Sequence, residues 1–292
     1  MMENRKAFRP AKSIGAQELS AEELIRCAEA GIRTVELSYG NMSWCDEIPW
    51  KTFRTVADAH QMELWSFHLP FAPFQQMDIS SVDTALRKRS VAYLSELVKA
   101  AGDTGIATAV IHPSGEPMME EERAEKLKCA QESLVALADT AEKSGIVIAV
   151  ENLPRTCLGR DAADMLQLLA ADGRLMSCFD TNHLLAQPAS EYIAAVGSRI
   201  RTTHVSDYDF KNERHWLPGE GLIHWPDLIS AFKAADYQGP ILYELGLKAP
   251  ATIERRDLTY EDFKANYDVL MRLEQPKAIG APIAALCTDW RA

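Results

Sequence analysis

Short apolar runs rich in Val, Ile and Leu alternate along the chain with longer stretches of helical periodicity, and this alternation most narrows the folds open to it. The runs fall at 11–15, 32–38, 63–69, 107–112, 146–152, 175–180, 200–206 and 240–245. Helical patterns occupy 20–30, 47–60, 82–101, 121–144, 161–171, 188–197, 225–236 and, after the eighth run, 258–273. Punctuation agrees: Ser20 and Glu23 have capping-box spacing, and Gly31, Gly102 and Gly145 stand where helical stretches end. Repeated strand-helix units predict parallel strands joined by right-handed crossovers. Eight units in 292 residues fit a single-domain (β/α)8 TIM barrel better than an open doubly wound sheet, and no G-x-G-x-x-G turn follows the first strand. The barrel is expected over 1–272, with 273–292 a tail packed on it or placed at a homo-oligomer interface.

A net charge of -11 is the wrong sign for a protein that tracks phosphate backbones, so nucleic acid is not the expected partner. Six scattered cysteines with no C-x-x-C pair read as reduced thiols. The first residues, MMENRKAFRPAKSIG, contain no apolar leader core, and no apolar run reaches membrane-spanning length. A cytoplasmic protein acting on a small molecule, away from membranes, is the expectation.

A barrel makes its site at the C-terminal ends of its strands, where residues of one parity face inward. Six successive strands finish in a residue able to bind metal: His68, His112, Glu151, Asp180, His204 and Glu244. His68 shares parity with Leu64 and Ser66, Glu151 with Val147 and Ala149, Asp180 with Met176 and Cys178, and His204 with Thr202. Any one of these alone reads as a hydrogen-bonded rim residue or an ion pair. Together they point to a divalent cation, whose charge lets several carboxylates stay ionised side by side. Glu151, Asp180, His204 and Glu244, three carboxylates and one imidazole, suit Mn, Mg or Co, with Zn less favoured.

The segments IHP (111–113), VENLP (150–154), FDTNH (179–183), THVSD (203–207), RHWLPGEGLIHW (214–225) and YEL (243–245) resemble the xylose-isomerase-like barrels, a superfamily of sugar phosphate isomerases and epimerases that also contains endonuclease IV. In the epimerase branch the resemblance makes Glu151, Asp180, His204 and Glu244 the metal ligands. It makes His183 a substrate contact and Arg214 the nearest match to a substrate-binding arginine. In the endonuclease branch, with its three zinc ions, His68, His112, His183 and His215 match further ligands, and Glu213 stands where that branch has an Asp.

The implied chemistry is metal-assisted isomerisation or epimerisation of a small sugar, sugar phosphate or related hydroxy-ketone through an enediolate, with Glu151 and Glu244 as acid and base. A lyase or dehydratase using the same enolate, and a multinuclear phosphodiesterase, are the alternatives. Among accessory residues, Glu36 is placed to bind substrate or orient a ligand, and Trp216 to stack on a sugar face. Trp65, of opposite parity to His68, is expected to pack outward against a helix.

Overall fold

The structure is a computed structural model and describes residues 8–291. Its eight barrel strands are β1 (Pro10–Gly15), β2 (Thr34–Ser38), β3 (Glu63–His68), β4 (Thr108–Ile111), β5 (Val147–Glu151), β6 (Met176–Asp180), β7 (Ile200–His204) and β8 (Ile241–Tyr243). Between and after them come α1 (Ala21–Glu29), α2 (Trp50–Ala59), α3 (Thr84–Asp103), α4 (Arg123–Lys143), α5 (Ala162–Leu169), α6 (Ala189–Val196), α7 (Trp225–Ala234) and α8 (Tyr260–Met271). The strands pair in parallel in the order β7-β6-β5-β4-β3-β2-β1-β8. The seam closes where Val205 bridges Tyr243: Val205 N donates to the Leu242 carbonyl at 2.7 Å and Glu244 N to the Val205 carbonyl at 3.2 Å. The expected (β/α)8 TIM barrel is therefore the fold.

The helices form because each presents one apolar face to the sheet. In α3, Leu94, Leu97, Val98 and Ala101 are buried at i, i+3, i+4 and i+7. Their starts are fixed by side-chain caps: Asp83 accepts from Ala85 N and Leu86 N, and Asp161 from Asp164 N. Ser20 accepts from Glu23 N, but the Glu23 carboxylate turns to Arg26 and the Tyr260 hydroxyl, so the box is half made. Gly31 and Gly145 have the left-handed backbone of a helix terminus, with φ of 86° and 69°. Gly102 instead lies inside α3, where a Cβ would stand 2.6 Å from the Ser144 carbonyl. It is there for close packing, and Gly105 (φ 82°) makes the turn.

Strand parity holds for five of the six polar ends but breaks in β3. Val35 of β2 pairs with Leu64 and Glu36 with Ser66, so a bulge leaves Trp65 as an extra residue. Leu64 joins the outer apolar cluster, and Trp65 turns into the barrel beside Ala11 and Leu242, contrary to the outward packing its parity predicts. A second bulge, between Ser177 and Cys178 of β6, leaves Arg201 of β7 as the extra residue. The two meet: the Arg201 guanidinium lies 4.4 Å from the Trp65 ring centre, Arg9 lies 4.7 Å from it, and the indole N–H donates to Thr202 Oγ1. This plug and a layer of Val110, Ala149 and Cys178 fill the lower barrel. Polar side chains are left for the upper end.

Beyond the eighth strand, β9 (Ile253–Glu254) pairs antiparallel with β10 (Ala281–Pro282), so the residues after α8 return across the barrel. All six cysteines are free, five of them buried. No helix among the described residues is long and apolar enough to cross a membrane.

Candidate metal and substrate site

Glu151 ends β5 wholly buried, and its two oxygens face different partners. Oε1 lies 3.0 Å from His204 Nδ1; Oε2 lies 3.0 Å from His68 Nε2 and 3.2 Å from His112 Nε2. Asp180 is aligned by the residue just after β5: Asn152 Oδ1 accepts from Asp180 N, and Asn152 Nδ2 donates to the Asp180 carbonyl. Asp180 Oδ1 accepts from Asn182 N at 2.5 Å. Its Oδ2 is buried without a hydrogen-bond partner, 3.7 Å from His183 Nδ1 and 4.0 Å from His204 Nδ1. Glu244, just beyond β8, brings Oε2 to 3.2 Å from His204 Nδ1. One imidazole nitrogen thus faces three carboxylates, while the opposite nitrogen of His204 lies 3.2 Å from Glu36 Oε2.

Electrostatics suit this cluster to a cation. Burial drives the Asp180 carboxyl well above the usual range, with the charges of Glu244 and Glu151 reinforcing it against His183. Burial also disfavours ionised Glu151, yet the His204 charge and hydrogen bonds from His112, His204 and His68 hold it well below. Glu244 is held low against burial, chiefly by His204. His68 is instructive. Its Nδ1 lies 2.9 Å from the Leu69 carbonyl, which can only accept, so Nδ1 carries the proton and a neutral ring would aim the Nε2 lone pair at Glu151 Oε2. Two acceptors cannot face each other unless a proton or a cation lies between them. Burial opposes protonation of His68, but the hydrogen bond and charge of Glu151 outweigh it and raise its pKa to about 9.

The orphaned Asp180 oxygen, the opposed lone pairs and the oxygen-rich donor set all fit a divalent metal. Donor atoms of His68, Glu151, His204 and Glu244 lie within 4.8 Å of one another, as do those of Glu151, Asp180 and His183, so the two groups share Glu151. A third group, His183, Glu213 and His215, is equally tight. Here too both imidazoles give Nδ1 to a backbone carbonyl, that of Asn152 for His183 and that of Glu244 for His215. His183 Nε2 then faces Glu213 Oε1 at 3.3 Å. The charges of Asp180, Glu213 and Glu151 raise the His183 pKa to about 9 despite its burial.

A cavity of about 360 Å³ opens over these groups. His68, His112, Glu151, His183, Glu213, His215 and Glu244 border it on one side; Trp44, Phe71 and Phe74 form an aromatic wall. Phe71 stacks on His112 with ring centres 3.9 Å apart and planes 7° from parallel.

Three expected substrate contacts lie elsewhere. Arg214 is buried beneath the rim, where it donates to Asp209 Oδ2 and the Thr288 carbonyl. Trp216 is buried with its N–H on Thr252 Oγ1, and packs the loop instead of offering a ring to the cavity. Glu36 accepts from Ser66 Oγ and faces His204 from behind, and does not border the cavity. The arginine that does border it is Arg155, immediately after VENLP. Its left-handed backbone (φ 53°) turns the guanidinium onto Glu116, Glu213 and Asn212. Its place beside a strand-end motif was the available signal, but its direction depends on a loop conformation that periodicity does not report. The aromatic wall was missed for the same reason.

The THVSD aspartate is structural. Asp207 accepts from Tyr208 N, Gly219 N, Ile223 N and Trp225 Nε1, and ties the PGEG loop to β7. A Cβ at Gly221 would stand 2.3 Å from Asp207 Oδ1, so that glycine serves close approach.

A metal-ready cluster at the C-terminal mouth of a (β/α)8 barrel defines the class of protein. The chain belongs to the xylose isomerase-like TIM barrel family, whose model matches residues 24–262. It is 25% identical over 203 residues to the uncharacterized protein MJ1311 of Methanocaldococcus jannaschii, covering 66% of this chain and 68% of that one. It is 28% identical over 121 residues to the fructoselysine 3-epimerase of Escherichia coli O157:H7, covering 39% of this chain and 44% of that protein. In structure it resembles a D-tagatose 3-epimerase-like protein with a TM-score of 0.75 at 19% identity, covering 90% of this chain and 96% of that one.

Proposed function

We propose that this barrel is a divalent-metal-dependent epimerase or isomerase of a small sugar, sugar phosphate or related hydroxy-ketone, working through an enediolate. The observation that carries the reading is the placement of Glu151 and Glu244, from β5 and β8, at 3.0 and 3.2 Å from the same nitrogen of His204 and on the border of one cavity. The similarity to a fructoselysine 3-epimerase and to a D-tagatose 3-epimerase-like structure supports it.

A cation held by Glu151, Asp180, His204 and Glu244, with Mn, Mg or Co favoured over Zn, would stabilise negative charge on a substrate oxygen. The chain supplies the rest. A substrate carbon between Glu151 and Glu244 meets a carboxylate on each face: one removes its proton, and the other returns a proton to the opposite face. Return to the neighbouring carbon instead gives isomerisation. Such placement is worth about 10²–10⁴-fold in rate. His183, at the cavity edge, hydrogen-bonds a substrate oxygen. Glu151→Gln and Glu244→Gln variants, assayed by NMR in D₂O on a ketose panel, test the roles: exchange that persists in a variant removes that residue as the base. Stoichiometric loss of water with a new conjugated carbonyl absorbance would identify a lyase.

A second reading, a multinuclear phosphodiesterase, is favoured by the convergence of His183 and His215 on Glu213, with His183 Nε2 at 3.3 Å, and by the approach of His68 and His112 to Glu151. The net charge of -11 disfavours a DNA substrate. Two or three metals per chain with nicking of abasic DNA would support it; one metal per chain supports the epimerase.

A further inference from the structure

Beside the metal cavity lies a second chamber of about 340 Å³, over the C-terminal ends of β1 and β8. The two share Gly15, Ser38, Trp44, His215 and Glu244 as bordering residues, so they adjoin at the barrel mouth. At about 360 Å³ the metal cavity is already at the lower end of the usual 300–1,000 Å³ for small-molecule sites, and it has room for one ketose. A free ketose leaves the second chamber without an occupant.

The junction is kept open by the absence of a side chain. Gly15 is exposed, its φ is not left-handed, and a Cβ built on it meets nothing within 4 Å. Neither packing nor backbone conformation requires glycine there. Trp44, 41% exposed, gives the junction a flat apolar wall of the kind on which sugar rings stack. Past it, the exposed Gln17 and Glu18 offer an amide and a carboxylate to hydroxyl groups.

Charge narrows the occupant further. Arg155 is the one Lys or Arg among the described residues bordering the metal cavity, and Glu116 and Glu213 neutralise it. Lys12, in the side chamber, is 3% exposed, gives its ammonium to the Ser13 carbonyl and lies 5.3 Å from the Phe263 ring centre. Neither cation is offered to a phosphate.

We propose that the sugar acted on is a conjugate: its reacting ketose occupies the metal cavity, and a second, unphosphorylated hydroxylated ring attached to it lies in the side chamber against Trp44. This rests on the epimerase reading and specifies its substrate class. The test compares kcat/KM for deuterium exchange by the metal-loaded protein on free ketohexoses, on the fructose-containing disaccharides isomaltulose and lactulose, and on fructose 6-phosphate. The expected result is a disaccharide turned over at least tenfold more efficiently than any free ketohexose or the phosphate. In Gly15→Leu, whose side chain projects into the junction, the ratio of disaccharide to ketohexose efficiency falls tenfold or more. In Gln17→Ala it falls about threefold. A wild-type preference for a free ketohexose or for the phosphate, or a ratio unmoved by both substitutions, overturns the conjugate and leaves the epimerase standing. Exchange with none of the sugars overturns both.

Discussion

His204 turns its Nε2 to Glu36, 3.2 Å away, and so presents Nδ1 to Glu151, Asp180 and Glu244. Glu36 is fully buried and also accepts from Ser66, which fixes the carboxylate and through it the imidazole. Such outer partners typically matter 10–100-fold to metal affinity. Glu36→Ala is therefore expected to weaken metal binding by about that factor, read by competition with a chromogenic chelator, with Glu36→Gln intermediate.

A cation on Glu151 and the protons that His68 and His183 bring to it compete for the same carboxylate. His68 and His183 titrate near 9 in the folded chain, above the ordinary imidazole value of 6.5. A raised folded pKa stabilises fully below about pH 6.5 and is lost as pH rises through about 9. The metal-free protein should lose Tm across that window, while the metal-loaded protein should hold or gain, because metal binding tightens as protons leave. Calorimetry in buffers of different ionisation enthalpy should detect proton release on loading. Parallel Tm curves for the two forms would contradict this.

Arg155 and Arg214 should separate cleanly. Arg214→Ala removes a buried donor from Asp209 and the Thr288 carbonyl, at a cost of about 1–3 kcal/mol in denaturant unfolding. Arg155→Ala frees Glu116 and Glu213 at the cavity wall and should raise KM for substrate several-fold. An increase in KM confined to Arg214→Ala would reverse the two roles.

The Asp207 tie predicts a pair of destabilised variants. Gly221→Ala forces a Cβ against Asp207 and the Tyr208 backbone, an overpacking that costs about 1–3 kcal/mol. Asp207→Ala strands four donors and should cost at least as much, both measured as midpoints of urea unfolding.

The strands, the helices and the polar strand ends were legible because they depend on local periodicity: a residue two along a strand points the same way. Glu151, Asp180 and His204 follow that rule from sequence to site. Trp65 does not, because the bulge that turns it inward arises from pairing between β2 and β3, which no local pattern encodes. Gly102 looked like a helix stop and proved to be a packing contact with Ser144, 42 residues away along the chain.

By itself, then, the sequence determined the (β/α)8 order and which strands carry donor groups at their ends, since both follow from the spacing of apolar and polar residues. Tertiary structure alone decided that Arg155 and not Arg214 borders the cavity, that Glu36 faces His204, and that a second chamber opens past Gly15. Those facts depend on loop conformation and on side chains distant along the chain meeting at the barrel mouth, where position in space replaces position in sequence.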